Sequence, residues 1–517
     1  MNMNKMKVYK KLGVVLMLCW ASQVMAQKLF SNRDGQYRIP SIVECKSGKW
    51  LAITDHRYDC SDIGNGRHID IVVKESVNQG NTWSHPERII AQGGNHIAES
   101  FDCAHGDAAT VVDRETGEIL LMCASGGVSF WDSTREHPQM MGRYYSSDEG
   151  KTWKGEEIAK EIYDLVPDMQ QAFFTSGRIC QSRQIKVGSH YRIYSALTTR
   201  KGNRVLYSDD FGKHWHLLGV NAAEAAPKGD EAKIEELPNG DVLISSRINA
   251  GRLFNILKYT DIKSGAGIWG ETTLSSIENQ GVYGKENACN GEVVLINAKD
   301  TKGKKVSLLL QSLPMGPKRA NVAIFYKALR SENDYASSDM IAKNWEGFYQ
   351  VSDTTSAYST MVPSKNGDIL FLFEENAFRH PETEPDDYYD IVFKRLGLKA
   401  ITNGKYHSDE DGIVVLSPQE FINQAKVDTA AIILDVRTPA EYAEGHLERA
   451  KLLDYLNTEA FDAGVKSLDK ASTYYIYCRS GRRSHGACEK MKVQGFKVFD
   501  MEGGYLNWTK LGLPVVK

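Results

Sequence analysis

Three separate stretches of this sequence spell the same turn: Ser76-Val77-Asn78-Gln79-Gly80-Asn81-Thr82-Trp83, Ser146-Ser147-Asp148-Glu149-Gly150-Lys151-Thr152-Trp153 and Ser208-Asp209-Asp210-Phe211-Gly212-Lys213-His214-Trp215. Asn or Asp side chains bond turn amides, glycine takes positive φ without a Cβ clash, and the tryptophan folds back onto the sheet. These residues are structural staples of antiparallel hairpins. A degenerate fourth copy is expected at Ser337, Asp339 and Trp345. The starts at 76, 146 and 208 lie farther apart than the roughly 40 to 50 residues of one propeller blade, so long irregular loops are expected between copies. Short strands are expected at 192–198, 241–247, 306–311 and 369–374, punctuated by Pro238-Asn239-Gly240-Asp241 and Lys365-Asn366-Gly367-Asp368. Four-stranded antiparallel blades around an axis account for this pattern, making the fold mainly β.

Composition narrows the partners. Lys plus Arg number 63 against 66 Asp plus Glu, a net charge of −3 that gives no electrostatic reason for nucleic acid or an anionic membrane as partner. Any anionic ligand must be caught locally. At the N-terminus Lys5, Lys7, Lys10 and Lys11 precede an apolar run over 12–20 and end at Val24-Met25-Ala26, the pattern of a signal peptide over 1–26. The run is shorter than the ~20 residues of a membrane span, so a periplasmic or secreted location is expected. A lipid anchor on Cys19 is the alternative, disfavoured by the bulk of Leu18, and no later segment reads as a membrane span. The nine cysteines are scattered without a CxxC or Cys/His cluster, so no metal site is indicated, and most are expected to be buried free thiols.

Near residue 400 the pattern changes. The polar segment 401–412 reads as a linker, dividing a large domain over 27–400 from a small one over 413–517. In the latter, strands at 431–436, 473–477 and 497–500 alternate with helices around 439–442 and over 482–493, which implies a small parallel α/β sheet.

Upstream of the three turns stands Tyr37-Arg38-Ile39-Pro40, and with them it resembles the sialidase family, whose Asp-boxes and Arg-Ile-Pro signature these stretches match. The resemblance covers roughly 27–400 and implies a six-bladed β-propeller that removes terminal sialic acid. Such a sugar carries a carboxylate on its anomeric carbon, and guanidinium groups bind both oxygens of a carboxylate in fixed geometry. Arg38, Arg247 and Arg319 match the family's carboxylate-binding triad. The same carboxylate would repel an acidic nucleophile, and sialidases are the tyrosine exception among glycosidases. Tyr358 matches that nucleophile, and Glu231, sixteen residues before Arg247, matches its base, with Glu235 and Glu236 the alternatives in the same run. Asp62, on a glycine-rich loop five residues after Arg57, matches the acid that protonates the leaving oxygen; Asp59 is the nearby alternative. Arg57 and Asp107 resemble the pair that binds the ring hydroxyl at carbon 4, and Trp131 is either a wall of the acyl pocket or a core residue. The resemblance implies an exported retaining exo-α-sialidase acting on sialylated glycans, glycoproteins or glycolipids, with no cofactor and no metal. A trans-sialidase and a non-catalytic sialic-acid-binding propeller are the alternatives.

Residues 413–517 resemble a rhodanese domain, from Leu434-Asp435-Val436-Arg437 and Gly445-His446 to Cys478-Arg479-Ser480-Gly481-Arg482-Arg483-Ser484 and Gly503-Gly504. Cys478 ends a strand and precedes a helix, where backbone amides and arginines favour a thiolate and a bound anion. A cysteine phosphatase places Arg six residues after the cysteine, and Ser484 stands there instead. The resemblance implies sulfur transfer through a persulfide on Cys478, with an inactive binding module as the alternative.

Overall fold

The computed structural model of the protein describes residues 26–517 except 59–61, 65–66, 221–223, 287, 377–388 and 409–412. The signal-peptide reading therefore lies, apart from Ala26, outside the described residues, as do Asp59 and Cys60. Among the described residues no helix is long and apolar enough to cross a membrane.

Six sheets, antiparallel except where Gly177–Arg178 joins His105–Val112 in parallel, follow one another along the chain as the blades of a propeller. Blade 1 runs through Gln36–Glu44, Trp50–Arg57, Ile69–Ser76 and Arg88–Ala91, and blade 2 is built on His105–Val112, Ile119–Ser125 and Met140–Ser146. Blade 6 is assembled from both ends of the domain: Gln27–Phe30 pairs with Asp390–Leu396, next to Ile369–Asn376 and Thr355–Pro363, which closes the ring. Six apolar cores lie between neighbouring blades; Trp50 and Val72 meet Leu370 and Phe393 between blades 1 and 6, for example. Inner strands are thus covered on both faces, which explains continuous apolar runs such as Ile369-Leu370-Phe371-Leu372-Phe373. Polar pairs tie the blades near the axis, among them Ser41 to Thr110 at 2.6 Å, Arg178 to Glu235 at 2.7 Å and Thr360 to Glu292 at 3.2 Å.

Each repeated turn leads out of the third strand of its blade. The serine hydroxyl accepts from the glycine amide at 2.8–2.9 Å, and the Asn or Asp oxygen accepts the amide four residues on at 2.9 Å. Two consecutive residues are left-handed in every copy, such as Gln79 at φ 56° and Gly80 at φ 79°. The stretch at Ser337 departs from this. Ser337 caps a short helix, Ser338–Ala342, and the Trp345 indole donates to Ile341 O at 2.9 Å. No glycine stands four residues after Ser337, where Ile341 continues the helix instead of turning.

The segment read as a linker is in part sheet: Tyr406–Ser408 pairs antiparallel with Val293–Asp300 on blade 5. Beyond it, five parallel strands are ordered Val414–Leu416, Lys497–Met501, Thr473–Tyr477, Ala431–Asp435 and Lys451–Leu452, with helices that include Pro418–Val427 and Arg482–Val493. The seven described cysteines are buried and free.

Candidate active site

Three inner strands bulge as they reach one mouth of the propeller. Register shifts fall between Arg38 and Ser41, between Gly106 and Ala109, and between Ser356 and Ser359. Ile39 and Asp107 sit at φ 59° in the first two. A bulge re-aims the side chains beside it, so Arg38, Asp107 and Tyr358 leave the alternation of their strands and point to a common space.

Tyr358 stands at the centre. Its hydroxyl donates to Glu231 Oε2 at 2.8 Å and accepts from Arg247 Nη1 at 3.0 Å, while Arg247 also pairs with Glu231. The guanidinium carbons of Arg38 and Arg319 each lie 5.6 Å from the centre of the Tyr358 ring. The three arginines therefore converge on one phenol. Burial, then the Glu231 charge, push the Tyr358 hydroxyl well above its ordinary range, and Arg247 and Arg319 act against them. The phenol is held neutral at rest, with its proton on a bond to Glu231. Glu235 and Glu236 point elsewhere, Glu235 to Arg178 and Arg183, Glu236 to Ser182 and the Arg183 amide.

Arg57, 4% exposed, meets three carboxyls: Asp55 at 3.0 Å, Asp62 at 3.9 Å and Asp107 at 3.9 Å. Asp62 is open to solvent on its loop. Burial and the neighbouring Asp55 and Asp62 charges raise Asp107 well above the carboxylate range, and burial lifts Asp55 to about 7 against Arg57.

Two acids in this site carry no sequence motif of their own. Glu374 takes Arg38 Nε and the Ile39 amide, both at 2.8 Å, on one oxygen and the Tyr358 amide at 3.1 Å on the other, so it locks two bulges together. Asp55 takes Arg57 and the left-handed Asp107 amide at 3.0 Å. Each is a buried acid in a largely apolar strand, Asp55 as its single acid and Glu374 beside Glu375 after the apolar run, and that is the signal by which they could have been found. Because Asp55 stays protonated in the fold over a range where the unfolded chain has ionised, its contribution to stability is present at low pH and declines as pH rises to about 7. Asp55→Asn does not titrate, so the melting temperature of D55N relative to wild type should rise between pH 4 and 7 and level off above. A pH-independent difference in differential scanning calorimetry would contradict this.

Tyr358, Glu231, the three arginines, Arg57, Asp62 and Asp107 line a cavity of about 580 Å3, with Asp55 and Glu374 behind its wall. Trp131 also lines it and is 66% exposed, which removes the core reading; the Arg200 guanidinium lies 4.3 Å from its ring and donates to its carbonyl at 2.9 Å.

In the C-terminal domain Cys478 follows the strand Thr473–Tyr477, and its sulfur accepts from the Gly481 amide at 3.2 Å and the Ser484 hydroxyl at 3.5 Å. Gly504 is required here, since a Cβ would lie 2.4 Å from the Cys478 carbonyl. Arg483 forks onto Glu441 with two 2.7 Å bonds, and Arg479 and Arg482 are the exposed cations of the loop. The Leu-Asp-Val-Arg motif is a buried brace: Arg437 binds Asp435 and Gly445 O, and Tyr477 donates to Asp435 at 2.6 Å.

Comparison with known proteins follows this division. Residues 64–371 match the model of a BNR repeat-like domain, and residues 417–511 that of a Rhodanese-like domain. A sialidase of Bacteroides fragilis is 25% identical over 282 residues, 52% of this chain and 48% of that protein, so the chain spans about half the length of this relative. A sulfurtransferase of Allochromatium vinosum is 36% identical over 99 residues, 19% of this chain and 90% of that protein. Among solved structures, a Hadza microbial sialidase superposes with a TM-score of 0.55 at 22% identity, over 73% of this chain and 69% of that one, a likeness of fold.

Proposed function

The chain belongs to the BNR repeat-like domain family, and from that premise we propose that it is an exported, retaining exo-α-sialidase releasing terminal α-linked sialic acid from glycoconjugates. The observation that carries this reading is the meeting of Arg38, Arg247 and Arg319 around a Tyr358 hydroxyl bonded to Glu231. The arginines grip the substrate carboxylate. Tyr358 attacks the anomeric carbon as its proton passes to Glu231, the glycosidic bond breaks, and Asp62 protonates the departing oxygen. Water then attacks the glycosyl-tyrosine bond and gives a proton to Asp62, while the phenol oxygen recovers its proton from Glu231. Arg57 and Asp107 hold a ring hydroxyl beside the acid. The C-terminal domain is proposed to carry sulfur as a persulfide on Cys478.

Incubation with α2-3- and α2-6-linked sialyllactose, with free sialic acid measured and the anomer of the first product read by NMR, tests the propeller. Release with retention supports the reading. Transfer to added lactose would replace it with a trans-sialidase, and binding without turnover with a lectin-like propeller. A one-sulfur mass increment on Cys478 after exposure to a sulfane donor, absent in Cys478→Ser, tests the second domain.

A further inference from the structure

Blades 1 and 6 meet at the seam where the ring is closed, and the closure is slender. The closing strand Gln27–Phe30 meets Asp390–Leu396 in three register pairs, Gln27 with Phe393, Lys28 with Val392 and Phe30 with Ile391, with an irregularity between the last two. Joining the two ends of the domain costs loop-closure entropy, so other contacts at this seam matter. The seam also carries the candidate active site at its mouth, where Arg38 of blade 1 bonds Glu374 of blade 6 at 2.8 Å. Arg38 and Tyr358 stand near the start of the strands Gln36–Glu44 and Thr355–Pro363, and the turns that follow the other ends of these strands hold Gly48 and Lys365.

A helix of the C-terminal domain covers that far end. Pro418–Val427 packs Phe421 and Ala425 into its own domain and turns Glu420 and Gln424, one helical turn apart, to the propeller. Gln424 Oε1 accepts from Gln79 Nε2 at 3.0 Å, and both side chains are buried. Gln79 Oε1 accepts from Arg395 Nη1 at 3.3 Å, and Arg395 Nε donates to Asp368 at 2.6 Å. The bonds thus run from the helix through blade 1 into blade 6. Glu420 lies 3.7 Å from Lys365, whose amide donates to Glu44 of blade 1 at 2.7 Å, and a Cβ on Gly48 would touch Gln424 at 3.6 Å and Glu420 at 3.7 Å. Gln79 is the left-handed residue before the glycine of the first repeated turn. Its counterpart in the second turn, Glu149, reaches the Ser47 amide and hydroxyl of the preceding blade at 2.9 and 2.7 Å. For the first turn the preceding blade is blade 6, and the helix completes the reach. The same turn holds the closing strand, since Gln27 Nε2 donates to Gly80 O at 2.6 Å.

We propose that the C-terminal domain, apart from any sulfur chemistry, is the clasp of the propeller: its helix Pro418–Val427 docks on the far end of the seam between blades 1 and 6 and holds shut the ring whose mouth carries Arg38 and Tyr358. The surface made by Gln79, Gly48 and Lys365 has this chain's own helix as its partner. The path of the chain serves the same end. From blade 6 it passes to blade 5, where Tyr406–Ser408 joins the sheet, and then returns to the seam, so blade 6 is embraced from both sides.

Hydrogen exchange of the whole chain, read by mass spectrometry, tests this, and its outcome does not depend on whether the propeller cleaves sialic acid. Gln424→Lys replaces the acceptor of Gln79 by a cation, and Lys365→Glu sets a second acid against Glu420. Each should quicken exchange in 390–396 by about tenfold, the loss of one or two hydrogen bonds from the closure. Gly202–Ser208 of blade 3 and Thr473–Tyr477 of the C-terminal sheet should keep wild-type protection. Gln424→Glu retains an acceptor for Gln79 and should leave 390–396 as in wild type. Unchanged exchange at 390–396 in either Gln424→Lys or Lys365→Glu overturns the proposal, as does exchange in Gln424→Glu as fast as in Gln424→Lys. Quickening spread equally over all six blades, or confined to the C-terminal sheet, overturns it too, since the helix would then not act on the seam.

Discussion

Tyr358→Phe should reduce release of sialic acid from sialyllactose by roughly 10^4-fold or more, a loss of the size seen when a covalent nucleophile is removed, while the protein folds as before. The substitution deletes one oxygen, 2.8 Å from Glu231 and 3.0 Å from Arg247, and leaves the ring between Arg38 and Arg319. Stability should change by no more than about 1–2 kcal/mol, since Glu231 keeps Arg247 as a partner. Substrate affinity should change less than about tenfold, because the carboxylate grip is intact. Direct attack by Glu231 would not rescue the variant. A carboxylate about 4 Å from the substrate carboxylate meets a repulsion of about 4 kcal/mol at an effective dielectric of 20, a penalty of about 10^3-fold. Steady-state turnover together with binding of the substrate to the inactive variant decides the matter. Residual turnover above about a tenth of wild type would remove Tyr358 as nucleophile and leave water activated by Glu231, with inversion at the anomeric carbon.

The parts of this molecule that could be read from sequence are those encoded locally. A turn that needs Ser, Asx, Gly and Trp at fixed spacing is visible in three copies, and it marked blades 1 to 3. Blades 4, 5 and 6 use other connections, so their number came only from resemblance, and the stretch at Ser337 has the right letters without the glycine that would turn it. In the C-terminal domain the expected strand and helix at 473–477 and 482–493 coincide with Thr473–Tyr477 and Arg482–Val493, because alternating strand and helix periods are strong signals there. Within the segment 401–412 the strand Tyr406–Ser408 is too short to show a period in sequence. At the site, the arginines and Tyr358 were legible as motifs, but the bulges that aim them were not. A one-residue register shift leaves no trace in composition, and supports such as Glu374 and Asp55 take their meaning from residues far away in the chain. Trp131 was ambiguous for the same reason: its exposure depends on a loop packed by Arg200.

Under the proposed mechanism, Asp62→Ala should act very differently on two sialosides that differ only in their leaving group. Asp62 faces Arg57 at 3.9 Å from a solvent-open position on its loop, and the proposed cycle has it protonate the oxygen that leaves with the aglycone. Lactose departs as an alkoxide unless it is protonated, whereas a nitrophenol leaves as a stable anion without help. Loss of general acid catalysis should therefore lower kcat/KM for sialyllactose by about 10^2- to 10^4-fold, with a loss of less than about tenfold for a nitrophenyl sialoside. The second half of the proposed cycle uses Asp62 as base toward water. D62A should accordingly give a burst of nitrophenol followed by a slow steady state, with the sugar retained on Tyr358 and detectable by mass spectrometry of the intact protein. Azide, a nucleophile that needs no base, should restore the steady state and yield the sialyl azide of retained configuration. Equal losses on both substrates would move the acid to another residue, and Asp59, three residues earlier in the sequence, would be the next to substitute.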